Sequence, residues 1–430
     1  MYAMGRARVC AIAIGLVSCG VGRGAAAQEA PSLTIDAAVR EAIDHNLTLI
    51  AERYSVNVAD ARVVTAGLRP NPVLTVSGMF PSSDVYDNAV SPREAIAHVD
   101  VPIERGGKRE HRLEVAQAAK SVAELQLMNT VRTLVLDVQS AWVDVVQAKQ
   151  NLALARESLD AFNALVQVNT ERVRTGDLSQ VELSRSRLAA LQFQNDVRQQ
   201  QAKLTVAQSR LRVLLGRIGA GAIDVDGDLR RDGSPIDREA VRRLALAQRP
   251  DLEALRRDQA RSTADVRLQI AQGKVDFTVS GEVHHQTQPI PAPDGASGFL
   301  YGAFFSSPLP FFNRNQGEIA RAQLEEKQAA ARIAAYEAQV GNEVDAAYEA
   351  YTAARDVVGT IEAQMLARAR DVRTTTEYSY RRGEASFVEF LDAVRAFNDT
   401  MQSYNAARAD YARSLYTLDA SAGGQPGDQE

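Results

Sequence analysis

The chain has 430 residues, with 49 Lys and Arg against 54 Asp and Glu and a net charge of −5. That mildly acidic balance argues against a nucleic-acid partner. Its two cysteines are Cys10 and Cys19, so the later chain carries neither a disulfide framework nor a thiolate metal site.

Arg6 and Arg8 are followed by the apolar stretch Val9 to Val17 and the small residues Ala25, Ala26 and Ala27, the three parts of a secretory signal. Cleavage leaves a mature chain starting near Gln28 and carrying 46 basic against 54 acidic residues, or −8. A competing reading takes Leu16, Val17, Ser18 and Cys19 as a lipoprotein box, with Cys19 lipidated. Beyond the signal there is no run of about 18 apolar residues, the length a helical membrane span needs. If the chain crosses a membrane, it does so as β-strands.

In chain order, Ile35 to Leu68 has a helical pattern and is stopped by Pro70 and Pro72, because proline cannot continue a helix. Strands are expected at Val73 to Phe80 and Ala95 to Ile103, around a polar loop at Pro81 to Glu94. Long helices follow from Lys108, turning at Gly176. A second unit repeats the plan, with strands at Val275 to His284 and Phe299 to Leu309 around the loop Gln286 to Ser297.

The units are copies. Arg174, Thr175, Gly176, Asp177, Leu178, Ser179, Gln180, Val181, Glu182 returns as Arg381, Arg382, Gly383, Glu384, Ala385, Ser386, Phe387, Val388, Glu389. Thr75 to Gly78 returns as Thr278 to Gly281, and Ala141 with Trp142 as Ala347 with Tyr348. The expected plan is therefore a signal at 1–27, a first repeat at 28–225, a second at 226–420 and a disordered tail at 421–430.

On the third strand Val275, Phe277, Val279, Gly281 and Val283 share one face, and Asp276, Thr278, Ser280, Glu282 and His284 the other. A soluble sandwich buries the apolar face, whereas a membrane barrel turns it to lipid and keeps the polar face in its lumen. The export signal and the aromatics Phe80, Phe299, Tyr301, Phe304 and Phe305 favour the barrel. Four strands cannot close one, so copies must share it. Two copies give eight strands and three give twelve.

From Val138, apolar residues recur every seventh position as Val145, Leu152, Leu159, Val166 and Val173, with Ala141, Ala148, Ala155 and Phe162 between them. The second unit repeats this with Val344, Tyr351, Val358, Met365 and Val372, and with Ala347, Ala354 and Ile361. Such heptads predict coiled-coil packing.

The two-repeat plan, the turn Leu68 to Pro72 and the paired Arg-x-Gly turns resemble the TolC family of outer-membrane efflux proteins. The segments Leu309 to Gly317 and Pro102 to Arg109 are similar to the strand-to-helix junctions of its CzcC-like cobalt, zinc and cadmium branch. The resemblance implies a mainly α fold with a membrane β part: a homotrimer with a twelve-stranded barrel in outer-membrane lipid and a helical tunnel in the periplasm. It implies a periplasmic adaptor and an inner-membrane RND-type proton-driven pump as partners, divalent heavy-metal cations as cargo, and no cofactor or enzyme activity. Drug, organic-solute or polypeptide export by the same fold is the alternative, and a coiled-coil adaptor or scaffold the alternative of another class.

Within that resemblance Gly176, Asp177, Leu178, Ser179, Gly383, Glu384, Ala385 and Ser386 are hairpin tips that meet the adaptor, and Glu389 with Asp392 lines the pore constriction. A local role competes at both places, since Ser179 with Glu182 and Ser386 with Glu389 are capping boxes. Three copies of the two acids would favour cations and repel one another, raising some of their pKa values. The histidines are His45, His98, His111, His284 and His285. None forms a helical His-x-x-x-His pair, so no metal site is expected.

Overall fold

The structure is a computed structural model that describes residues 33–79, 93–219, 223–232, 235–287 and 297–424. The signal, Cys19, Phe80, most of both strand-connecting loops and the tail from 425 lie outside the described residues.

Strands β1 (Val73–Met79), β2 (Arg93–Ile103), β3 (Phe277–Thr287) and β4 (Ser297–Ser306) form one antiparallel sheet in the order β1-β2-β3-β4. The repeats join at β2 and β3, where His98 pairs with Glu282 and Val101 with Val279. β4 ends before the expected Leu309 because Pro308 and Pro310 cannot donate to a ladder. β3 starts after the expected Val275. There the Asp276 carboxylate accepts from the Arg105 amide at 2.9 Å and the Lys108 ammonium at 2.7 Å, which ties the strand to the β2 turn.

On β2 three of the apolar residues are exposed, Val99, Val101 and Ile103 at 40%, 41% and 46%, while His98 and Asp100 are half-buried together with Ile96. β3 repeats this, with Val279 and Val283 outside and Ser280 buried. A sheet that is greasy outward and wet inward belongs in lipid. No described helix is long and apolar enough to cross a membrane.

The helix expected from Ile35 to Leu68 is two helices, α1 (Ile35–His45) and α2 (Leu47–Ala66), broken at Asn46, whose φ and ψ are −64° and 122°. Its side-chain oxygen caps α2 by accepting from the Leu49 amide at 3.0 Å, and its amide nitrogen donates to the Leu214 carbonyl at 2.8 Å. Short polar side chains compete with the helix in this way. α5 (Arg238–Gln248) and α6 (Pro250–Gln272) meet at Arg249 with nearly the same backbone, φ −64° and ψ 121°.

α3 (Lys108–Thr175) runs 68 residues without interruption, about 100 Å at 1.5 Å per residue. It turns at Gly176 into α4 (Gln180–Leu214). The second repeat answers with α7 (Gln316–Thr360), a π-helical turn at Ile361–Met365, α8 (Leu366–Arg382) and α9 (Phe387–Ser421).

That π turn corrects the heptad reading. Gly176 lies 35 positions after Ala141, whereas Gly383 lies 36 positions after Ala347. A π turn, bonded i to i+5, absorbs the extra residue, and here the Leu366 amide donates to the Ile361 carbonyl. The seam shifts by one position. Val344, Tyr351 and Val358 are buried as expected, whereas Met365 and Val372 are 42% and 51% exposed. Leu366, Arg373 and Tyr380 take the inward positions instead, with the Arg373 guanidinium 4.2 Å from the Phe397 ring.

The largest core lies midway along the helices. Trp142 is 1% exposed among Leu33, Leu211, Leu215 and Ile223, and its indole N–H donates to the Leu33 carbonyl at 3.3 Å. Leu33 also bridges Val225 in parallel. The segment 223–232 then crosses to the second repeat, where Arg230 pairs with Asp419 and the Tyr411 hydroxyl donates to the Asp232 carbonyl at 2.8 Å.

Candidate functional site: the hairpin tips and the acidic face of α9

Both hairpins reverse through a left-handed glycine. Gly176 has φ 89° and Gly383 φ 80°, a region where a Cβ is strained. The Asp177 amide donates to the Arg172 carbonyl at 2.8 Å and the Glu384 amide to the Ser379 carbonyl at 2.9 Å, which ties off the ends of α3 and α8. No other atom lies within 4 Å of where a Cβ would stand on either glycine, so the backbone angle alone asks for glycine.

The next helices begin with caps of different completeness. Ser179 accepts from the Glu182 amide at 3.2 Å. Ser386 accepts from the Glu389 amide at 3.3 Å while the Glu389 carboxylate accepts from the Ser386 amide at 2.7 Å, closing the box both ways. Asp177, Ser179, Glu384 and Ser386 are exposed, and Leu178 and Ala385 are half-buried.

An aromatic cluster that sequence reasoning missed holds the two hairpins together. Phe162 and Phe193 of the first hairpin lie 4.4 Å apart, Phe390 of the second is 5.8 Å from Phe162, and Tyr380 stacks on Phe390 at 5.4 Å. Beside it Asn169, fully buried, donates from its amide to the Tyr380 hydroxyl at 3.0 Å. Burial pushes the Tyr380 phenol above its ordinary range. The available signal was Asn169 itself, a polar residue seven positions beyond the seam residue Phe162.

On α9, Phe390, Ala393, Val394 and Phe397 are buried while Glu389, Asp392 and Asp399 are exposed. Spacings of three and seven put these acids on one face of the helix. Within one chain the Glu389 carboxyl is held below its ordinary range by the Ser386 backbone amide first and its hydroxyl second. That is the opposite direction from mutual repulsion, and it follows from the closed box. Among the described residues no group of three or more His, Cys, Asp or Glu is arranged to hold a metal ion.

A sheet that needs lipid on one side and neighbours along both edges, standing on helical hairpins about 100 Å long, defines a class: the outer-membrane channel subunit. The chain belongs to the outer membrane efflux protein family, whose sequence model matches residues 38–217 and 241–424, one match for each repeat. The family is one of channels rather than enzymes. Among curated relatives, the chain is 24% identical to the cobalt-zinc-cadmium resistance protein CzcC of Cupriavidus metallidurans, over 91% of this chain and 90% of that one. It is 22% identical to nodulation protein T of Rhizobium leguminosarum bv. trifolii, over 90% and 84%. Among solved structures it resembles CusC, with a TM-score of 0.73 and 18% identity over 91% of this chain and 92% of that one. The Campylobacter jejuni CmeC outer membrane channel gives 0.74 at 15% identity, over 91% and 85%. The protein is an efflux channel of the outer membrane.

Proposed function

We propose that three copies of this chain close a twelve-stranded barrel and a periplasmic tunnel, and that this duct passively carries divalent heavy-metal cations outward. The observation that carries the oligomer is the sheet: β1 and β4 are open edges, and closing them on other copies satisfies both ladders. Strand number alone leaves two copies open; three is the count of TolC-type channels. The likeness to CzcC along nearly the whole chain supports the cargo. In this reading the tips around Gly176 and Gly383 dock a periplasmic adaptor fed by an RND-type proton-driven pump. Glu389 and Asp392 line the constriction, where a ring of carboxylates attracts cations.

The test is growth of a deletion strain, with and without the restored gene, across graded zinc, cadmium, cobalt and a panel of dyes and antibiotics. Sensitivity confined to the metals is the expected outcome. Sensitivity to organic compounds alone replaces the cargo while leaving the duct.

A further inference from the structure

The wet side of the sheet carries a second group of charges, far along the chain fold from the α9 acids. On β2, His98 and Asp100 face the same way as Ser280 and Glu282 on β3, with His98 directly opposite Glu282 and Asp100 opposite Ser280. The His98 Nε2 lies 2.9 Å from Asp100 Oδ1, its Nδ1 3.4 Å from Glu282 Oε2, and the Ser280 hydroxyl donates to Asp100 at 2.5 Å. Toward the other end of the same face, His284 Nε2 lies 3.6 Å from Glu94 Oε2, and Gln286 donates to Glu94 at 3.3 Å. Among the described residues the remaining neighbours are uncharged. Thr75 of β1 is across from His98, the Phe304 ring of β4 lies 6.0 Å from it, and Ile96 and Leu300 flank His284.

One detail separates this group from an ordinary satisfied ion cluster. His98 Nδ1 and His284 Nε2 are closed off from solvent and make no hydrogen bond. In each case that nitrogen is the one facing a carboxylate oxygen. Buried polar nitrogens normally have partners, and a bare imidazole nitrogen opposite a carboxylate sets lone pair against lone pair. A proton there turns each contact into an ion pair. The ligands do not converge on a common point as a metal centre requires, so the group acts through its field.

We propose that Glu94, His98, Asp100, Glu282 and His284 form a cation-selective band in the barrel lumen whose strength is set by protonation of the two imidazoles. The inference rests on the reading that copies of this chain close a barrel around that face. With both imidazoles neutral, the three carboxylates give each chain a charge of −3 on the band; with both charged, −1 remains. Each proton taken up by an imidazole removes one unit of net negative charge from the band. Cation preference therefore weakens as the medium acidifies.

The experiment is the K+ to Cl− permeability ratio of the full-length protein in planar bilayers, from reversal potentials in a KCl gradient at pH 8 and pH 5.5. The expected result is a drop of at least about twofold on acidification. In the His98→Gln, His284→Gln double variant the ratio stays constant across that range, although the acids of α9 and His45, His111 and His285 are intact. In Glu282→Gln, which keeps both imidazoles, the ratio at pH 8 is lower than in the unaltered protein. A ratio independent of pH in the unaltered protein, or a pH dependence that survives the double substitution, overturns the band while leaving the channel. A protein with no conductance under any condition overturns the channel reading and the band with it.

Discussion

At the joint between α1 and α2, neutral Asn46 caps the second helix with its own side chain; at the matching joint between α5 and α6, Arg249 makes no cap at all. The difference follows from the next residue. Asn46 takes the Leu49 amide, whereas at α6 proline stands at the first helical position, which it favours, and the Leu252 amide donates to the Asp251 carboxylate at 2.8 Å. Released from capping, Arg249 is 3% exposed and binds Asp251 at 2.6 Å and Glu343 at 2.6 Å. Arg132 of α3 joins Asp251 at 3.1 Å and donates to the Ala420 carbonyl at 2.7 Å, and the Tyr336 hydroxyl donates to Asp251 at 2.9 Å. One repeat thus closes its joint locally, and the other uses the same joint to bind the two repeats together. Such a cluster adds little net stability, but losing one member is costly.

The contrast can be broken most directly at Asp251. Asp251→Asn leaves buried Arg249 and half-buried Arg132 short of charge, and a loss of about 3–5 kcal/mol is expected. Asn46→Ala removes a cap and costs about 1–2 kcal/mol. Unfolding midpoints of the detergent-solubilised variants measure both, and equal losses would erase the difference between the joints. The Asp251 carboxyl also carries a pH signature. Burial pushes it up, but the hydrogen bonds and charge of Arg249, the Tyr336 hydroxyl and the charge of Arg132 outweigh that, and the net shift is downward from 3.8. A lowered folded value means the contribution is present above pH 3.8 and lost as pH falls below it. Removing the carboxyl should flatten the acid limb of the stability profile, and Asn46→Ala should leave that limb unchanged.

The helix cores sharpen the comparison at the next scale. Trp142→Phe opens space beside Leu33 and Gly227 and should cost about 1–3 kcal/mol. Its counterpart Tyr348 is half-buried, 6.1 Å from the Tyr351 ring and 5.9 Å from the Arg238 guanidinium. Tyr348→Phe should change stability by less than about 0.5 kcal/mol. Thermal unfolding distinguishes the two, and a larger loss at Tyr348 would place the main core in the wrong repeat.

The smallest difference is at the tips. Ser386→Ala opens a box closed in both directions and should cost about 1–2 kcal/mol, against about 0.5–1 for Ser179→Ala. Hydrogen exchange of the amides of Glu389 and Glu182 reads each cap separately. Equal acceleration at both would show that the returning Glu389 carboxylate contributes nothing.

How much of this was legible follows from how local each signal is. The glycine turns, the capping serines and the inside-out strands could be read because each is set by a residue's own backbone preference or by alternation along one strand. The break at Arg249 was marked by Pro250, but its twin at Asn46 carries no proline and was read as continuous helix. Met365 and Val372 keep an unbroken seven-residue count from Val344, so nothing in that count reveals the π turn. The offset between repeats does reveal it, as the single extra residue between Ala347 and Gly383. Asn169 and Tyr380 each looked unremarkable alone, and their bond depends on two hairpins meeting.

By itself the sequence determined that this is a duplicated chain with long helices, amphipathic strands and tight glycine tips, since period, proline and left-handed glycine act over a few residues. Only the tertiary structure decided which side of the sheet is wet across both repeats, that His98 stands opposite Glu282, and that Arg132 reaches Asp251. Those facts depend on strand register and helix packing between distant segments, and they are settled only when both copies of the plan pack against each other.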